Sequence, residues 1–146
     1  KYNLHFDLQI PWKYLQEARL LADDFPNTLI ILNHAGLPYD RSKEGLRNWR
    51  NAINIISQCP NVIVKISGIG VLNSTWNKSN NEGIINYLID KFGADRCMFG
   101  SNFPVDSLCA SYDQIVETLY ECISDLTNTE IENIFYNNAI KFYKPL

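Results

Sequence analysis

Four strand-like segments recur along the chain at intervals of roughly 30 residues, and each precedes a segment whose hydrophobic residues have helical spacing. The four segments are Leu4–Ile10, Leu29–Leu32, Val62–Ser67 and Cys97–Phe99. Short apolar runs of this kind are typical of parallel strands that are buried on both faces. The alternation of strands and helices predicts consecutive βαβ units, with a parallel sheet and right-handed crossovers. We therefore expect an α/β protein, and 146 residues suffice for one domain with its own core.

Residues typical of helix termini frame several of the helical segments. Pro11 is predicted to open the first helix, because its missing amide hydrogen costs nothing at that position. Gly93 is predicted to cap the third helix at its C-terminus. Thr129 and Glu132 have the spacing of a capping box and are predicted to begin the last helix.

The overall charge and composition exclude several classes of partner. The formal net charge is −3, from 13 basic and 16 acidic residues, and no basic block occurs, so we expect no binding to nucleic acid. No apolar stretch approaches the roughly 20 residues that span a bilayer, so we expect no membrane segment. The first residues lack the apolar core of a signal peptide. Because no initiator methionine is present, we expect that the sequence begins within a longer polypeptide.

The cysteines favour a reducing compartment. The chain has Cys59, Cys97, Cys109 and Cys122, which are widely spaced and form no CxxC motif. Cys97 lies in a predicted strand and Cys122 on an apolar helix face, so both are expected to be small core residues rather than disulfide partners. A cytoplasmic location is therefore predicted.

Polar side chains cluster where the predicted strands end. They are Asp7 and Gln9, Asn33 and His34, Lys65 and Ser67, and Ser101, Asn102 and Asp106. The connections that follow the second, third and fourth strands are longer and more polar than the connections that precede strands. Since the carboxyl ends of parallel strands lie at one edge of the sheet, these side chains are expected to converge there on a functional face.

His34 is the strongest single candidate for a catalytic role. It directly follows an apolar strand, and the neighbouring Gly36 allows a ligand to approach closely. Neutral imidazole binds metal ions and titrates near neutral pH, so His34 is predicted to be a metal ligand or a general base. The alternative is a histidine that only hydrogen-bonds the rim of the sheet. His5 lies early in a strand and is expected to be structural.

The other candidates each have a plain structural alternative. Asp106 could be a general base or a ligand, or it could form an Asx-turn or cap the next long helix. Lys65 could hold an anionic group of a substrate, or it could form an ion pair with Asp7. Asn102 can orient a substrate through hydrogen bonds but cannot act as a base. Arg41 could reach a substrate carboxylate, although a solvated loop is the favoured interpretation.

Three blocks at the strand ends resemble those of the amidohydrolase-2 family. They are Asn33–Pro38, Lys65–Gly68 and Phe99–Val105, and Asn138-Ala139 with Phe142-Tyr143 resembles the family's C-terminal ending. The chain looks like the branch of predicted metal-dependent hydrolases that includes sugar lactonases and pyrone-dicarboxylate lactonase. The resemblance implies the (β/α) units of a TIM barrel, with parallel strands and outer helices.

The resemblance covers nearly the whole chain but only about half of the family's domain, since a complete eight-fold barrel has roughly 250 residues. The four strands would correspond to barrel strands five to eight, so residues 1–146 are expected to be a single domain or fragment that forms the C-terminal half. The first-strand His-x-His motif, which supplies two metal or substrate ligands in the family, has no match. His5-Phe6-Asp7 differs from it at position 7.

The family's roles can be transferred to matching positions. His34 matches the histidine that contacts metal or substrate after the sixth strand. Asn102 stands where many members have the catalytic aspartate of the eighth strand, and asparagine cannot take a proton from water. Either Asp106 replaces that aspartate, or this branch uses different chemistry or is inactive. The residues expected to bind substrate are Asn33, Lys65, Ser67 and Ser101.

The resemblance implies hydrolysis of a lactone or a related carbonyl compound by water attack at the C-terminal face of the barrel. An aspartate would take a proton from water, while a divalent ion such as zinc or manganese, or cationic groups, would polarise the carbonyl. Some relatives look independent of metal, so a bound cation is not required. The expected partners are a small-molecule substrate and either the missing N-terminal half of the barrel or a second copy, and the isolated segment could lack activity.

Two other functional classes remain open at this point. One is a non-catalytic half-barrel that self-associates or binds a small molecule, because four parallel strands leave two open sheet edges. The other is an open, doubly wound α/β domain with an unrelated role. The second is disfavoured because no glycine-rich phosphate loop is present: Gly68-Ile69-Gly70 lacks the third glycine and the helix start that such a loop requires.

Overall fold

Four parallel strands form one sheet in the computed structural model, which describes residues 4–144. The strands are β1 (Phe6–Leu8), β2 (Ile30–Leu32), β3 (Val62–Ile66) and β4 (Cys97–Phe99). Their order in the sheet is β1-β2-β3-β4, and every neighbouring pair is parallel. The predicted α/β class and the four strand positions are therefore confirmed, although the first strand is shorter than its sequence pattern.

Helices follow each strand. They are α1 (Leu15–Asp24), α2 (Lys43–Ile56), α3 (Lys78–Phe92), α4 (Tyr112–Cys122), α5 (Asn128–Glu132) and α6 (Asn138–Tyr143), with a π-helical turn at Asn133–Asn137 joining the last two. In the part of the chain from residue 4 to 144, no helix has both the length and the apolar character needed to cross a bilayer.

Two of the three predicted helix boundaries need correction or refinement. Gly93 caps α3 with φ of 76°, as predicted. Pro11 precedes a short 3-10 turn, so α1 itself begins four residues later than the proline signal suggests. The capping box is formed by Thr127 and Glu130 rather than by the pair two residues further on. Both Thr-x-x-Glu pairs fit the pattern, and the structure uses the earlier one to begin α5.

The main core lies between the sheet and α1 to α4. Side chains of the sheet that face these helices include Ile30, Leu32, Val62, Val64 and Ile66, all at most 2% exposed. They pack in one cluster with buried residues from each of the four helices, such as Ala18, Trp49, Leu88 and Leu119. With α1 to α4 on one face and the strands in sequence order, the sheet has the arrangement of half a β/α barrel. The doubly wound alternative is wrong, because its strand order would reverse and its helices would cover both faces.

The opposite face of the sheet carries a second, smaller cluster. Ile31, Ile63 and Met98 are at most 1% exposed, although no helix of the β/α units lies over them. The residues that cover them come mainly from α6 and are Ala139, Phe142 and Tyr143. This face would form the interior of a barrel, and the C-terminal helix fills it here.

An ion pair lies on this inner face. The Lys65 ammonium is 2.8 Å from Asp7 Oδ1, and the Tyr143 hydroxyl donates to the same oxygen at 2.8 Å. His5 Nε2 lies 3.3 Å from the other Asp7 oxygen, and its ring packs edge-on against Tyr143. Burial alone would raise the pKa of Asp7. The hydrogen bonds from Lys65 and Tyr143 outweigh that effect and hold the pKa of Asp7 below its ordinary value. The ion pair that the sequence allowed is therefore present, and the predicted contact of Lys65 with a substrate stays a prediction.

The cysteines are thiols, and most of them belong to the core. Cys59, Cys97 and Cys122 are buried, and Cys109 is half-buried. Burial raises the pKa of Cys97 to about 12, as expected for an inert core thiol. The prediction that Cys97 and Cys122 are small core residues is confirmed.

Candidate active site

The carboxyl ends of β2, β3 and β4 bring together several of the polar residues that the sequence singled out. His34 Nδ1 at the end of β2 lies 3.0 Å from Ser67 Oγ at the end of β3. Ser67 in turn packs against the backbone of Gly100, where an added Cβ would lie 3.1 Å from the Ser67 Cβ. Beyond this glycine, Asn102 donates to Asp106 at 2.9 Å. These residues lie at the edge of the sheet where α/β proteins place their chemistry. The row formed by His34, Ser67, Asn102 and Asp106 is called the pocket wall.

The backbone at His34 adopts an uncommon conformation. Four successive residues have positive φ: His34 at 54°, Ala35 at 53°, Gly36 at 68° and Leu37 at 59°. Such left-handed geometry is strained for residues with a Cβ, and runs of it are rare. Asn102, on the other side of the pocket, also has positive φ, at 52°. Strain of this kind persists only where the surroundings enforce it, and it concentrates at functional sites.

Trp49 is one of the residues that enforce this turn. Its indole nitrogen donates to the carbonyl oxygen of Ala35 at 2.8 Å, and the side chain is fully buried on α2. Within the turn, the Leu37 amide donates to the carbonyl of His34 at 2.7 Å. On α2, Trp49 lies in the same core cluster as Ile53 and Ile56. Its second role, in fixing the direction of His34, depends on a contact between separate elements.

The environment of His34 favours the neutral imidazole. Burial is the main cause that lowers its pKa, and the positive charge of Lys65 lowers it further, while the Asp106 carboxylate raises it. When Nδ1 carries the proton, it donates a hydrogen bond to Ser67 Oγ, and Nε2 then has a free lone pair. In this tautomer His34 can accept a proton from water or bind a cation.

Gly68 lies directly against the His34 ring. Its φ is 55°, and a Cβ added there would lie 2.5 Å from His34 Nδ1 and 2.7 Å from Cγ. Real Cβ atoms do not approach so closely, so only glycine allows the imidazole to stay where Ser67 binds it. In the sequence, Gly68 is only the last residue of the Lys65–Gly68 block, and the register of β2 against β3 reveals the contact.

The Gly68→Ala substitution is therefore expected to displace His34. The matched control is Gly93→Ala, since Gly93 has a similar φ of 76° with open space around the position of a Cβ. Both variants should lose about 1–3 kcal/mol of unfolding free energy through backbone strain at positive φ, and Gly68→Ala should lose more because its Cβ meets the His34 ring. Only Gly68→Ala should also change the NMR chemical shifts and pKa of the His34 imidazole. Unchanged His34 signals in Gly68→Ala would contradict this packing.

Asp106 is a buried carboxylate with one unused oxygen. The residue is 5% exposed, its Oδ1 accepts from Asn102, and its Oδ2 is buried with no partner among the described residues. Burial raises its pKa, while the hydrogen bond from Asn102, the charge of the nearby His34 and the backbone amide of Gly70 partly oppose that rise. The helix-capping alternative is wrong, because Ser111 caps α4. A desolvated carboxylate with a free oxygen is suited to accept a proton.

The remaining predicted residues are placed as follows. Ser101 Oγ accepts from the amide of Phe103 at 3.2 Å, so its hydroxyl also shapes the turn after β4. The side-chain oxygen of Asn33 is buried without a partner in residues 4–144. Tyr39, which the sequence did not single out, lies near Asp106, and burial together with that carboxylate raises its pKa. Its only sequence signal was its place in the polar loop after β2.

The described residues do not by themselves fit a divalent metal ion. Among residues 4–144, no three His, Cys, Asp or Glu side chains come together. A zinc site takes at least three protein ligands, and this pocket offers at most His34 and Asp106. The predicted metal contact of His34 stays a prediction. A reaction at this site can be written with groups of this chain alone.

Comparisons with known proteins agree with this architecture. The protein y4mH of Sinorhizobium fredii is 39% identical over 142 residues, which cover 97% of this chain and 48% of that protein. An L-fucono-1,5-lactonase of Burkholderia multivorans is 35% identical over 97 residues, which cover 59% of this chain and 32% of the relative. The chain therefore spans about half, or less, of the length of these curated relatives.

A solved structure matches the fold closely. The crystal structure of an amidohydrolase from Burkholderia multivorans with bound zinc has a TM-score of 0.86 and 25% identity, and the match covers 96% of this chain and 52% of that one. The family model described as amidohydrolase matches residues 1–144. The match extends from the first strand to the end of α6, so it includes all three strand-end blocks. This chain belongs to the amidohydrolase family.

Proposed function

We propose that this chain supplies catalytic residues of a hydrolase that acts on a lactone or a related carbonyl compound. The observation that carries the proposal is the buried Asp106 carboxylate, whose Oδ2 has no partner among the described residues, in the same pocket wall as His34. The match to an L-fucono-1,5-lactonase supports a lactone as the substrate class. A desolvated carboxylate with one oxygen left without a close hydrogen-bond partner is costly, which is accounted for if that oxygen accepts a proton during catalysis.

The reaction needs one group that accepts a proton and one imidazole whose orientation is fixed. Asp106 Oδ2 takes a proton from water as the water oxygen attacks the carbonyl carbon of the lactone. The ring C–O bond of the resulting tetrahedral intermediate then breaks, and the same proton passes to the leaving ring oxygen. The product is the open hydroxy acid. Neutral His34, held through Nδ1 by Ser67, orients the water or the substrate from Nε2. Asn102 fixes the direction of the Asp106 carboxylate.

The proposal is tested with the full-length protein and a panel of 1,4- and 1,5-lactones of sugar acids. Hydrolysis releases one proton per turnover, so a pH indicator follows the rate directly. Catalysed hydrolysis of at least one lactone, with saturation kinetics, supports the proposal. Rates equal to the uncatalysed background for every lactone, in a folded sample with and without added zinc or manganese, would contradict it.

We further propose that the working site needs additional β/α units to close the sheet. In the described part of the chain, β1 pairs only with β2 and β4 only with β3, so two edges are open. Open parallel edges are prone to pair with other strands. The units could come from the same polypeptide or from a second copy, and the latter is the arrangement expected of a self-associating half-barrel. Intact mass and size in solution distinguish these cases, and a stable monomer of only these residues would contradict both.

A further inference from the structure

A separate cavity of about 260 Å³ opens between α2, α3 and the loop after β3. It lies outside the wall formed by His34 and Asp106, and none of its lining residues is acidic. The lining includes two guanidinium groups, three hydroxyl groups and an indole, from Arg41, Arg50, Ser74, Thr75, Ser79 and Trp76. The polar groups that line it are therefore mostly hydrogen-bond donors, with positive charge and no carboxylate.

Arg41 is a half-buried cation without a carboxylate partner. Its guanidinium donates to the carbonyl oxygens of Ile69 and Asn80, both of which line the cavity. Its Nε is buried and has no hydrogen-bond partner within residues 4–144. None of the ion pairs among residues 4–144 includes Arg41. Burial lowers its pKa, which reflects the cost of holding this charge away from water. Proteins normally pair such charges with an anion.

Two further groups point to the same chemistry. Arg50 projects from α2 beside the cavity, where it stacks on Tyr87 and also has no carboxylate partner in the described residues. Trp76 is only 7% exposed, and its indole N–H is buried without an acceptor in the described part of the chain. An unpaired buried donor costs free energy that an acceptor would recover. Arg41 Nε and Trp76 Nε1 are thus two buried, unsatisfied donors that belong to residues lining the same cavity.

We propose that this cavity binds the oxyanion group of a small molecule, either a phosphate or a carboxylate. Guanidinium groups bind both anions through paired, charge-assisted hydrogen bonds. The hydroxyl groups of Ser74 and Thr75 offer further donors around the anion. The inference does not depend on the proposed hydrolase activity, because the cavity shares no residue with the proton-transfer groups.

The test is isothermal titration of the full-length protein with inorganic phosphate and, separately, with succinate, at constant ionic strength set by chloride. We expect saturable binding of at least one of the two anions. Tighter binding of phosphate would identify the ligand as a phosphate, and tighter binding of succinate would identify it as a carboxylate. Arg41→Gln and Arg50→Gln should each weaken binding by about tenfold or more. Arg50→Gln is the safer variant, because Arg41 also holds the loop through Ile69.

The matched control is Arg47→Gln on the same helix. Arg47 is exposed and pairs with Glu44 at 3.8 Å, outside the cavity, so its loss should leave the affinity unchanged. Three results would each overturn the inference: no saturable binding of either anion up to about 10 mM, equal affinity in wild type and Arg50→Gln, or the same loss of affinity in Arg47→Gln as in Arg50→Gln.

Discussion

The His34→Ala variant is expected to lose about three orders of magnitude in kcat/KM for lactone hydrolysis, with little change in stability. The substitution removes the only imidazole of the pocket wall and leaves Ser67 without its partner. Alanine at this position keeps the left-handed backbone at the same steric cost, since His34 already has a Cβ. The rate is measured with the lactone that the panel identifies, and folding is checked by far-UV circular dichroism and urea unfolding.

His5→Ala is the matched control for this experiment. The described residues contain only these two histidines, and His5 contacts Asp7 and Tyr143 on the inner face of the sheet. Its loss should change kcat/KM by less than about twofold, because a residue outside the reacting groups contributes little to the transition state. Similar rates for His34→Ala and His5→Ala would remove His34 from the active site.

The second large effect is expected at Asp106. Asp106→Asn keeps the shape of the side chain but removes the proton acceptor, so kcat/KM should fall by about two to three orders of magnitude. Asn102→Ala removes one hydrogen bond to the carboxylate and should reduce kcat/KM by only about tenfold. Steady-state kinetics of both variants give the ranking directly. A larger loss in Asn102→Ala would show that the motif position, and not Asp106, holds the essential group.

The same Asp106→Asn variant should be more stable than the wild type at neutral pH, by about 1 kcal/mol. The folded pKa of Asp106 lies above its ordinary value of 3.8, so the folded state binds the proton more tightly than the unfolded state. This contribution to stability is present below the ordinary pKa and is lost as the pH rises through the folded pKa. The asparagine carries no charge and avoids that loss.

Urea unfolding at about pH 4 and about pH 7 measures this difference. We expect the stability advantage of Asp106→Asn over the wild type to be larger at the higher pH. A carboxylate retained for structure would give the opposite result, namely a variant less stable than the wild type at neutral pH. The combination of higher stability and lost activity would show that the charge is retained for chemistry.

The strands and main helices were predictable because their signals are local. The continuous apolar run at Leu29–Leu32 becomes β2 with one residue lost, and Cys97–Phe99 is β4. The end of α3 at Gly93 was also predictable from local sequence, since a C-cap residue with positive φ favours glycine whatever the rest of the chain does. The capping box was misplaced by two residues because two overlapping Thr-x-x-Glu pairs satisfy the same rule, and only the packing of the helix selects one.

The details of the site were less predictable because they depend on contacts between elements. No residue preference predicts positive φ at Ala35 or Leu37, and Trp49 on α2 helps to enforce that geometry through one hydrogen bond. The closeness of Gly68 to His34 follows from the register of two strands. Residue types at the strand ends therefore indicated some of the groups that meet, such as His34 and Ser67, while the tertiary packing sets their orientation and protonation.

Asp106 illustrates how structure resolved an open choice. On spacing alone, this aspartate could equally have capped a helix or served in catalysis. The structure gives the cap of α4 to Ser111 and leaves one Asp106 oxygen buried without a partner. Burial of that carboxylate is a property of the folded pocket, and no sequence pattern encodes it.

The most direct test of the account is the pH dependence of kcat/KM for the wild type and for Asp106→Asn. A general base must be unprotonated, so we expect the wild-type rate to fall towards acid pH with an apparent pKa above 3.8, the ordinary value for aspartate. In Asp106→Asn the residual rate should no longer decrease towards acid pH, or should decrease only at a lower pH than in the wild type. An identical acid limb in the two proteins would contradict the assignment of Asp106 as the proton acceptor.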